Sequence, residues 1–286
     1  MMSMMDYETL WHRLTSLYEA NEAKAIVRWV LDVRFGVSMA DILCGKVGEL
    51  SIVNQTELEE IMQRLESGEP IQYIIGTADF CRRQFHVEPG VLIPRPETGE
   101  LCQWVIDDSR QSSPRILDIG TGSGCIAITL ALETPEATVA AWDISCEALR
   151  IAKDNANSLG ANISFEQCDI LNLSLITYHS SLPHWDIIVS NPPYIINKEK
   201  EGMAKNVLDH EPHLALFAPD DNPIIFYQRI GDYAWQNLNT GGKLYFELNP
   251  LTADLVSDNL HHLGFSEIEL RQDAFGKQRF LKAIKR

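Results

Sequence analysis

The sequence predicts an α/β fold: a parallel sheet with helices on both faces and an antiparallel last strand, preceded by a small all-α domain and a β-hairpin linker. Three observations predict it. From Asp6 to about Gly68 apolar residues recur at helical spacing between start and stop signals. From Arg115 onward strand-like runs alternate with helix-like ones, the pattern of parallel strands joined by crossover helices. The last two strands are separated only by a turn containing Phe275-Gly276, and so short a connection joins antiparallel neighbours.

In chain order, Asp6 is a candidate cap for a helix carrying Leu10, Leu14, Leu17 and Tyr18. Ile26, Val30 and Val33 continue the helical theme until Gly36, a C-terminal stop. Thr56 followed by Glu59 reads as a capping box for Leu58, Ile61, Met62 and Leu65, ahead of Gly68. Phe80, Phe85, Val87, Val91 and Ile93, with Pro89-Gly90 between them, predict a short hairpin. The sheet then follows: strand Arg115–Gly120, helix Ser123–Leu132, strand Thr138–Ile144, a helix through Ser158, and strands Asn162–Asp169 and Asp186–Ser190. A helix at Ile224–Leu238, strand Lys243–Leu248, helix Ala253–Leu263 and strands Glu267–Arg271 and Arg279–Ile284 complete it. The expected boundaries are 1–76, 77–97 and 98–286 for helical domain, linker and α/β domain.

Composition narrows the function classes. Lys plus Arg total 24 and Asp plus Glu total 40 in 286 residues, a formal net charge of −16. Nucleic-acid binders draw affinity from a basic face that neutralises phosphates, so DNA or RNA is disfavoured as a partner. Cys44, Cys81, Cys102, Cys125, Cys146 and Cys168 contain no C-x-x-C pair. They are expected to be small buried hydrophobes in a reducing cytosol, with no metal site. Met1 to Leu10 lacks a basic start followed by an apolar run, so no signal peptide is expected. No stretch reaches membrane-spanning length, and a cytoplasmic monomer is the expectation.

Two constellations carry chemistry. Ile116-Leu117-Asp118-Ile119-Gly120-Thr121-Gly122-Ser123-Gly124 is a strand entering a glycine-rich turn before a helix, at the sheet edge where α/β folds bind ligands. Its G-x-G-x-G spacing departs from the dinucleotide fingerprint. Asp143, ending the next strand, can accept both hydroxyls of a ribose, which fits NAD as well as S-adenosylmethionine; Ser145 is the better helix cap. Asp169 ends the third strand and either accepts from an adenine amine or forms a turn. Asp118 organises the loop and the amino group of a methionine moiety, with a purely structural role as the alternative.

The second constellation is Asp186-Ile187-Ile188-Val189-Ser190-Asn191-Pro192-Pro193-Tyr194. Its apolar strand delivers Asn191 to the same edge. An amide or aromatic NH2 is a weak nucleophile because its lone pair is delocalised. A site helps by accepting both N–H bonds, one at the Asn191 side-chain oxygen and one at the Pro192 carbonyl, which aims the nitrogen at a sulfonium methyl. Pro192 and Pro193 stiffen the turn, and Tyr194 can stack on the flat substrate group. No general base is required.

The chain here resembles the release factor glutamine methyltransferases (the PrmC/HemK family). The resemblance covers nearly the whole length: Pro70-Ile71-Gln72-Tyr73-Ile74-Ile75-Gly76 with Phe80, Val91-Leu92-Ile93-Pro94-Arg95-Pro96-Glu97-Thr98, Asp118–Gly124, Ser190–Ile195, and Glu211-Pro212 with Ala215-Leu216. The Asn-Pro-Pro-Tyr motif is shared with adenine-N6 DNA and guanine-N2 rRNA methyltransferases; the Ile-Pro-Arg-Pro-Glu-Thr run is much more specific. The resemblance implies a class I methyltransferase domain with a Rossmann-like sheet, a helical substrate-recognition domain, and N5-methylation of the Gln in the Gly-Gly-Gln motif of peptide chain release factors. Carried over, S-adenosylmethionine is bound by Asp118, Gly120, Thr121, Gly122, Ser123, Gly124, Asp143, Asp169, Ile170, Asn191 and Phe80. Asn191, Pro192 and Tyr194 serve catalysis, and Asn191, Pro192, Pro193 and Tyr194 hold the glutamine.

Two positions depart from the family pattern. Ile170 stands where some members have Trp, so adenine stacking becomes apolar packing, and Gly99 stands where Glu is usual. The competing readings are a nucleic-acid amine methyltransferase and, in another class, a non-catalytic module that retains the cofactor fold. Elsewhere, His210-Glu211-Pro212-His213 is not read as a metal site because Pro212 breaks the aligning helix. His261-His262 belongs to a surface helix. Tyr7, Trp11, Trp29 and Phe35 read as core, and Arg82-Arg83 as a solvated hairpin face.

Overall fold

The computed structural model describes residues 6–109, 113–175 and 184–286, so Met1–Met5 lie outside the described residues. The chain divides into two units, Met1–Thr77 with Ala204–His210, and Ala78–Met203 with Glu211–Arg286.

The first unit is helical: α1 Tyr7–Arg13, α2 Ala20–Phe35, α3 Met39–Leu43, α4 Ile52–Glu66 and α5 Ile71–Ile75. Asp6 caps α1 by accepting from the Thr9 amide at 2.7 Å, and Gly36 ends α2 in the left-handed region at φ 66°. The core gathers Leu10, Leu14, Val27, Val30, Leu31, Leu58, Met62 and Leu65. Trp11 belongs to it, with Tyr7, Trp29 and Phe35 packed at its margin. Arg13 ties α1 to α4 by pairing with Glu59 at 2.7 Å and Glu66 at 2.6 Å.

Three expectations are corrected here. The helix holding Thr56 starts one turn earlier: Ser51 accepts from the Asn54 amide, and the Thr56 hydroxyl donates to the Ile52 carbonyl within α4. Glu59 faces Arg13 instead of closing a capping box. Helix α1 stops at Arg13, and Leu17 and Val33 are exposed.

At the start of the second unit, from Ala78, lies most of a hairpin of β1 Thr77–Phe80 and β2 Arg83–His86. Its turn is Cys81-Arg82, both with positive φ (46° and 63°), the twist that tight hairpins require, so Pro89-Gly90 is not the turn. Arg83 is no solvated residue but pairs with Glu133 at 2.6 Å, while Arg82 stays exposed.

The remaining elements are α6 Pro96–Ser109, β3 Arg115–Ile119, α7 Cys125–Glu133, β4 Thr138–Asp143, α8 Cys146–Leu159, β5 Ile163–Gln167 and β6 Trp185–Ser190. Then come α9 Lys205–His210 (grouped with the first unit), α10 His213–Leu216, α11 Ile225–Asn237, β7 Leu238–Glu247, α12 Ala253–Leu263, β8 Ser266–Gln272 and β9 Gln278–Ile284. The sheet order is β5-β4-β3-β6-β7-β9-β8. Strands β3 to β7 pair in parallel, and β9 lies antiparallel between β7 and β8, as the sequence predicts.

Side chains alternate across the sheet. Leu117, Ile188, Leu244 and Phe246 pack with α11 and α12; Ile116, Ile187, Val189 and Tyr245 pack with α6 and α7. Burial of both faces explains why the central strands read as continuous apolar runs. Of the cysteines, Cys102, Cys125 and Cys168 are buried, while Cys44 and Cys146 are exposed and Cys81 is half-buried; the last three correct the all-buried expectation. No helix among the described residues is long and apolar enough to cross a membrane.

Candidate active site

Strand β3 is flanked by β4 on one side and β6 on the other, so the order reverses there. Crossovers leaving in opposite directions open a crevice at the strands' carboxyl ends. The register brings Ile119 beside Trp142 and beside Ser190, so Gly120, Asp143 and Asn191 emerge at one edge. A cavity of about 400 Å³ lies there, within the usual size for a small-molecule site. Of the residues expected at the site, Gly120, Gly122, Asp143, Asp169, Ile170, Asn191, Pro192 and Pro193 line it. Thr121 and Ser123 are buried, and Gly124 packs inward. Phe80 stands edge-on to Phe85 at 5.9 Å in the core and outside the cavity lining; Tyr194 also lies outside that lining.

The glycine loop turns through positive φ at Gly120 (77°), Gly122 (55°) and Gly124 (83°). Around Gly120 and Gly122 nothing stands within 4 Å of where a Cβ would lie, leaving bare backbone toward the cavity. At Gly124 a Cβ would come within 2.9 Å of Ile128 Cδ1 and 3.1 Å of Ala152 Cβ, so that glycine lets α7 and α8 close on each other.

Three carboxylates organise this half. Asp143 accepts from the Gly122 amide and the Ser145 amide, each at 2.9 Å, and Ser145 caps α8. Burial raises the Asp143 pKa against these amide bonds. Asp118 is fully buried; one oxygen accepts from Thr121 Oγ1 at 2.7 Å and the Ala127 amide at 3.2 Å. Its other oxygen finds no partner among the described residues, and burial pushes its pKa up to about 7. Asp169 combines both of its readings: it lines the cavity, and it accepts from the Leu171 amide and from Asn172 Nδ2 at 2.9 and 2.6 Å as a turn residue. Ile170 adds an apolar wall. Bare glycine backbone, an unpartnered buried carboxylate oxygen and a carboxylate at the strand end fit a nucleoside joined to an amino acid.

The other half is built on β6. Ser190 donates to the Ile119 carbonyl at 2.6 Å, fastening β6 to β3 just before Asn191. Asn191 Nδ2 donates to Thr98 Oγ1 at 3.4 Å, and Thr98 donates to Glu247 Oε2 at 2.7 Å. Tyr194 donates its hydroxyl to Glu247 Oε1 at 3.2 Å, and its carbonyl accepts from Asn249 at 3.1 Å. The segment after Tyr194 is held by a bridge, Ile195 N to the Leu216 carbonyl and Ala218 N to the Ile195 carbonyl, both 2.9 Å.

Several supports escaped the sequence reading. Buried Asn155 accepts from the His86 amide and donates to the His86 and Ser123 carbonyls, clamping the hairpin and glycine loop onto α8. A lone Asn on the apolar face of an amphipathic helix was its available signal. Buried Glu211 accepts from the Ile93 amide at 3.2 Å and from Arg95 at 2.5 Å, pinning the Ile-Pro-Arg-Pro loop. Glu247 ends the apolar run Leu244-Tyr245-Phe246, and a carboxylate there signals a polar network at the sheet edge.

A methyltransferase domain model matches residues 110–221, and a PrmC N-terminal domain model matches residues 10–76. The release factor glutamine methyltransferase of Bacteroides thetaiotaomicron is 46% identical over 270 residues, covering 94% of this chain and 95% of the relative. That of Flavobacterium psychrophilum is 37% identical over 286 residues, covering 98% and 99%. Among solved structures, a Pyrococcus furiosus methyltransferase aligns with TM-score 0.51 at 18% identity over 70% of this chain and 88% of that one. The T. thermophilus 16S rRNA N2 G1207 methyltransferase, in complex with AdoMet and guanosine, aligns with TM-score 0.50 at 18% identity over 73% of this chain and 50% of that one. These two likenesses speak to fold alone.

Proposed function

The chain belongs to the release factor glutamine methyltransferases, and from that membership we propose that it methylates the N5 side-chain nitrogen of the Gln in the Gly-Gly-Gln motif of peptide chain release factors. It is a methyltransferase that uses S-adenosylmethionine. That cofactor supplies a methyl group activated by its sulfonium. Gly120, Gly122 and Asp143 hold the nucleoside end, Ile170 and Asp169 border the base, and Asp118, fully buried and outside the cavity lining, keeps its unpartnered oxygen for the amino-acid end. Asn191 Oδ1 and the Pro192 carbonyl accept the two N–H bonds of the substrate amide, and the prolines keep that turn from shifting. Tyr194 supports the turn through Glu247 and stacks beside the flat amide.

The observation that carries this reading is the register of Ile119 with Ser190, which sets Asn191 one residue beyond β6 at the cavity that Gly120 and Asp143 also line. The proposal extends to a cytoplasmic monomer whose helical domain, 1–76, recognises the factor away from its glutamine, with 77–97 as linker and 98–286 as catalytic domain. The charge of −16 supports a protein partner over nucleic acid.

The test is mass spectrometry of release factors incubated with the full chain and methyl-labelled cofactor. One labelled methyl on the Gly-Gly-Gln glutamine is expected, and intact factor should be methylated far more efficiently than a short peptide. Label on another residue, or on nucleic acid alone, would refute the assignment.

A further inference from the structure

The pair Thr98 and Glu247 sits behind Asn191 with its hydrogens already committed. Thr98 lies in the first turn of α6, Glu247 ends β7, and Ser190 pairs in register with Phe246, so Asn191 and Glu247 leave neighbouring strands side by side. Thr98 and Glu247 are both 2% exposed. Thr98 has one hydroxyl hydrogen, and it donates that hydrogen to Glu247 Oε2 at 2.7 Å. Its oxygen can then only accept, and what reaches it is the Asn191 side chain at 3.4 Å. The end of the Asn191 amide facing Thr98 must therefore be the NH2. The opposite end, Oδ1, is the one left for the substrate.

We propose that Thr98 and Glu247 are positioning residues that fix the flip of the Asn191 side-chain amide, so that its oxygen rather than its nitrogen meets the substrate NH2. A carboxylate at the end of the chain sets the sense of every bond in it. Glu247 accepts from Thr98, Thr98 accepts from Asn191, and Asn191 accepts from the nitrogen to be methylated. The same carboxylate takes the Tyr194 hydroxyl at 3.2 Å, so one group anchors both ends of Asn191-Pro192-Pro193-Tyr194. Replacing Glu247 by Gln removes this polarity, because an amide can donate to Thr98 and release its hydroxyl to donate to Asn191 Oδ1. The flipped Asn191 would then offer N–H to a nitrogen whose own hydrogens also need acceptors, and the nucleophile would lose its alignment.

This inference rests on the glutamine reading. Wild-type protein that labels no glutamine ends that reading, whereas wild-type labelling with unaffected variants ends only this inference. The experiment measures kcat, KM for release factor and cofactor Kd for Thr98→Val, Thr98→Ser and Glu247→Gln. Thr98→Val and Glu247→Gln should lower kcat by about 10²-fold, the usual cost of a misplaced reacting group, with cofactor Kd near wild type and the protein still folded at the assay temperature. Thr98→Ser keeps the hydroxyl and should recover turnover of the wild-type order. In the Asn191→Ala background, Thr98→Val should add no further loss, since its effect runs through Asn191. Wild-type kcat in Thr98→Val or Glu247→Gln, a Thr98→Ser as impaired as Thr98→Val, or multiplying losses in the double variant would each overturn it. So would failure of Thr98→Val and Glu247→Gln to fold, which would assign the pair to the fold instead.

Discussion

The backbone amide of Gly122 donates to Asp143 Oδ2 at 2.9 Å, so the carboxylate proposed to take the ribose also holds the glycine loop in its curve. Its other oxygen takes the Ser145 amide. Each oxygen keeps a lone pair for a further donor. Asp143→Ala therefore removes the ribose acceptors and loosens the loop together. Cofactor affinity should fall by roughly 1.5–3 kcal/mol, the worth of hydrogen bonds to a charged group. Calorimetry with S-adenosylmethionine and with NAD checks both this loss and the expected failure of NAD to bind.

From its proposed place at the amino-acid end, Asp118 should make cofactor binding depend on pH. Burial pushes its folded pKa up to about 7, against the ordinary 3.8 of an aspartate. A carboxyl raised in this way keeps its proton in the fold while the unfolded chain has lost it. Its contribution to stability is thus neutral below the unfolded pKa, declines as pH rises between about 4 and 7, and levels off above. Cofactor binding has the opposite sense. An ammonium group beside the free oxygen favours the ionised form, so affinity should weaken below about pH 7 by up to tenfold per unit. Calorimetry in two buffers of different ionisation heat should detect proton release on binding near pH 7, and Asp118→Asn should abolish it.

The glycines of the loop should separate by variant. Gly122→Ala meets nothing within 4 Å and costs only the left-handed backbone, about 1–2 kcal/mol. Because Gly122 lines the cavity, its main loss should be in cofactor affinity. Gly124→Ala adds a methyl 2.9 Å from Ile128 Cδ1 on top of φ 83°, so it should destabilise the fold more than Gly122→Ala. Denaturant unfolding beside cofactor titration distinguishes the two; equal stabilities would contradict the packing argument.

Glu211 predicts a loop effect away from the chemistry. Its side chain is 1% exposed and takes both the Ile93 amide and Arg95. Arg95 keeps access to water, so Glu211→Gln should cost about 1–3 kcal/mol rather than the full penalty of a stranded buried charge. Chemical denaturation measures that cost. Val91 and Leu92 line the cavity, so cofactor affinity should fall with it.

The sheet was legible because both of its faces are buried and each central strand is therefore a plain apolar run. The antiparallel final strand followed from a loop too short for anything else. What escaped reading shares a cause, since contacts distant in sequence override local signals. Helix α6 was missed because Pro94-Arg95-Pro96 reads as a breaker, yet Pro96 stands at the first helical position, where its missing N–H costs nothing. The Cys81-Arg82 turn lacks the Gly or Asn that usually marks positive φ, and Arg83 reaching Glu133 helps hold it. At the site, Asn191 and Asp143 were visible from strand ends. Thr98, Asn155 and Glu247 act through partners that only the folded register supplies.

Asn191 carries the sharpest prediction. If, as proposed, its oxygen accepts one substrate N–H and the Pro192 carbonyl the other, Asn191→Ala should leave the fold intact and lower kcat by about 10²–10³-fold, the usual cost of removing one preorganised polar contact at a reacting centre. Asn191→Asp discriminates further. A carboxylate still accepts from the substrate, so partial activity would support the acceptor role, although it can no longer donate to Thr98. Complete loss would point to donation by the Asn191 amide as the essential contact. The Tyr194 hydroxyl ties this end of the motif to Glu247, so Tyr194→Phe should lower kcat modestly by losing that bond, and Tyr194→Ala should lower it further if the ring supports the amide plane. Single-turnover kinetics with excess enzyme separate chemistry from product release. Wild-type single-turnover rates in Asn191→Ala, with the methyl still arriving on glutamine, would remove Asn191 from the reaction.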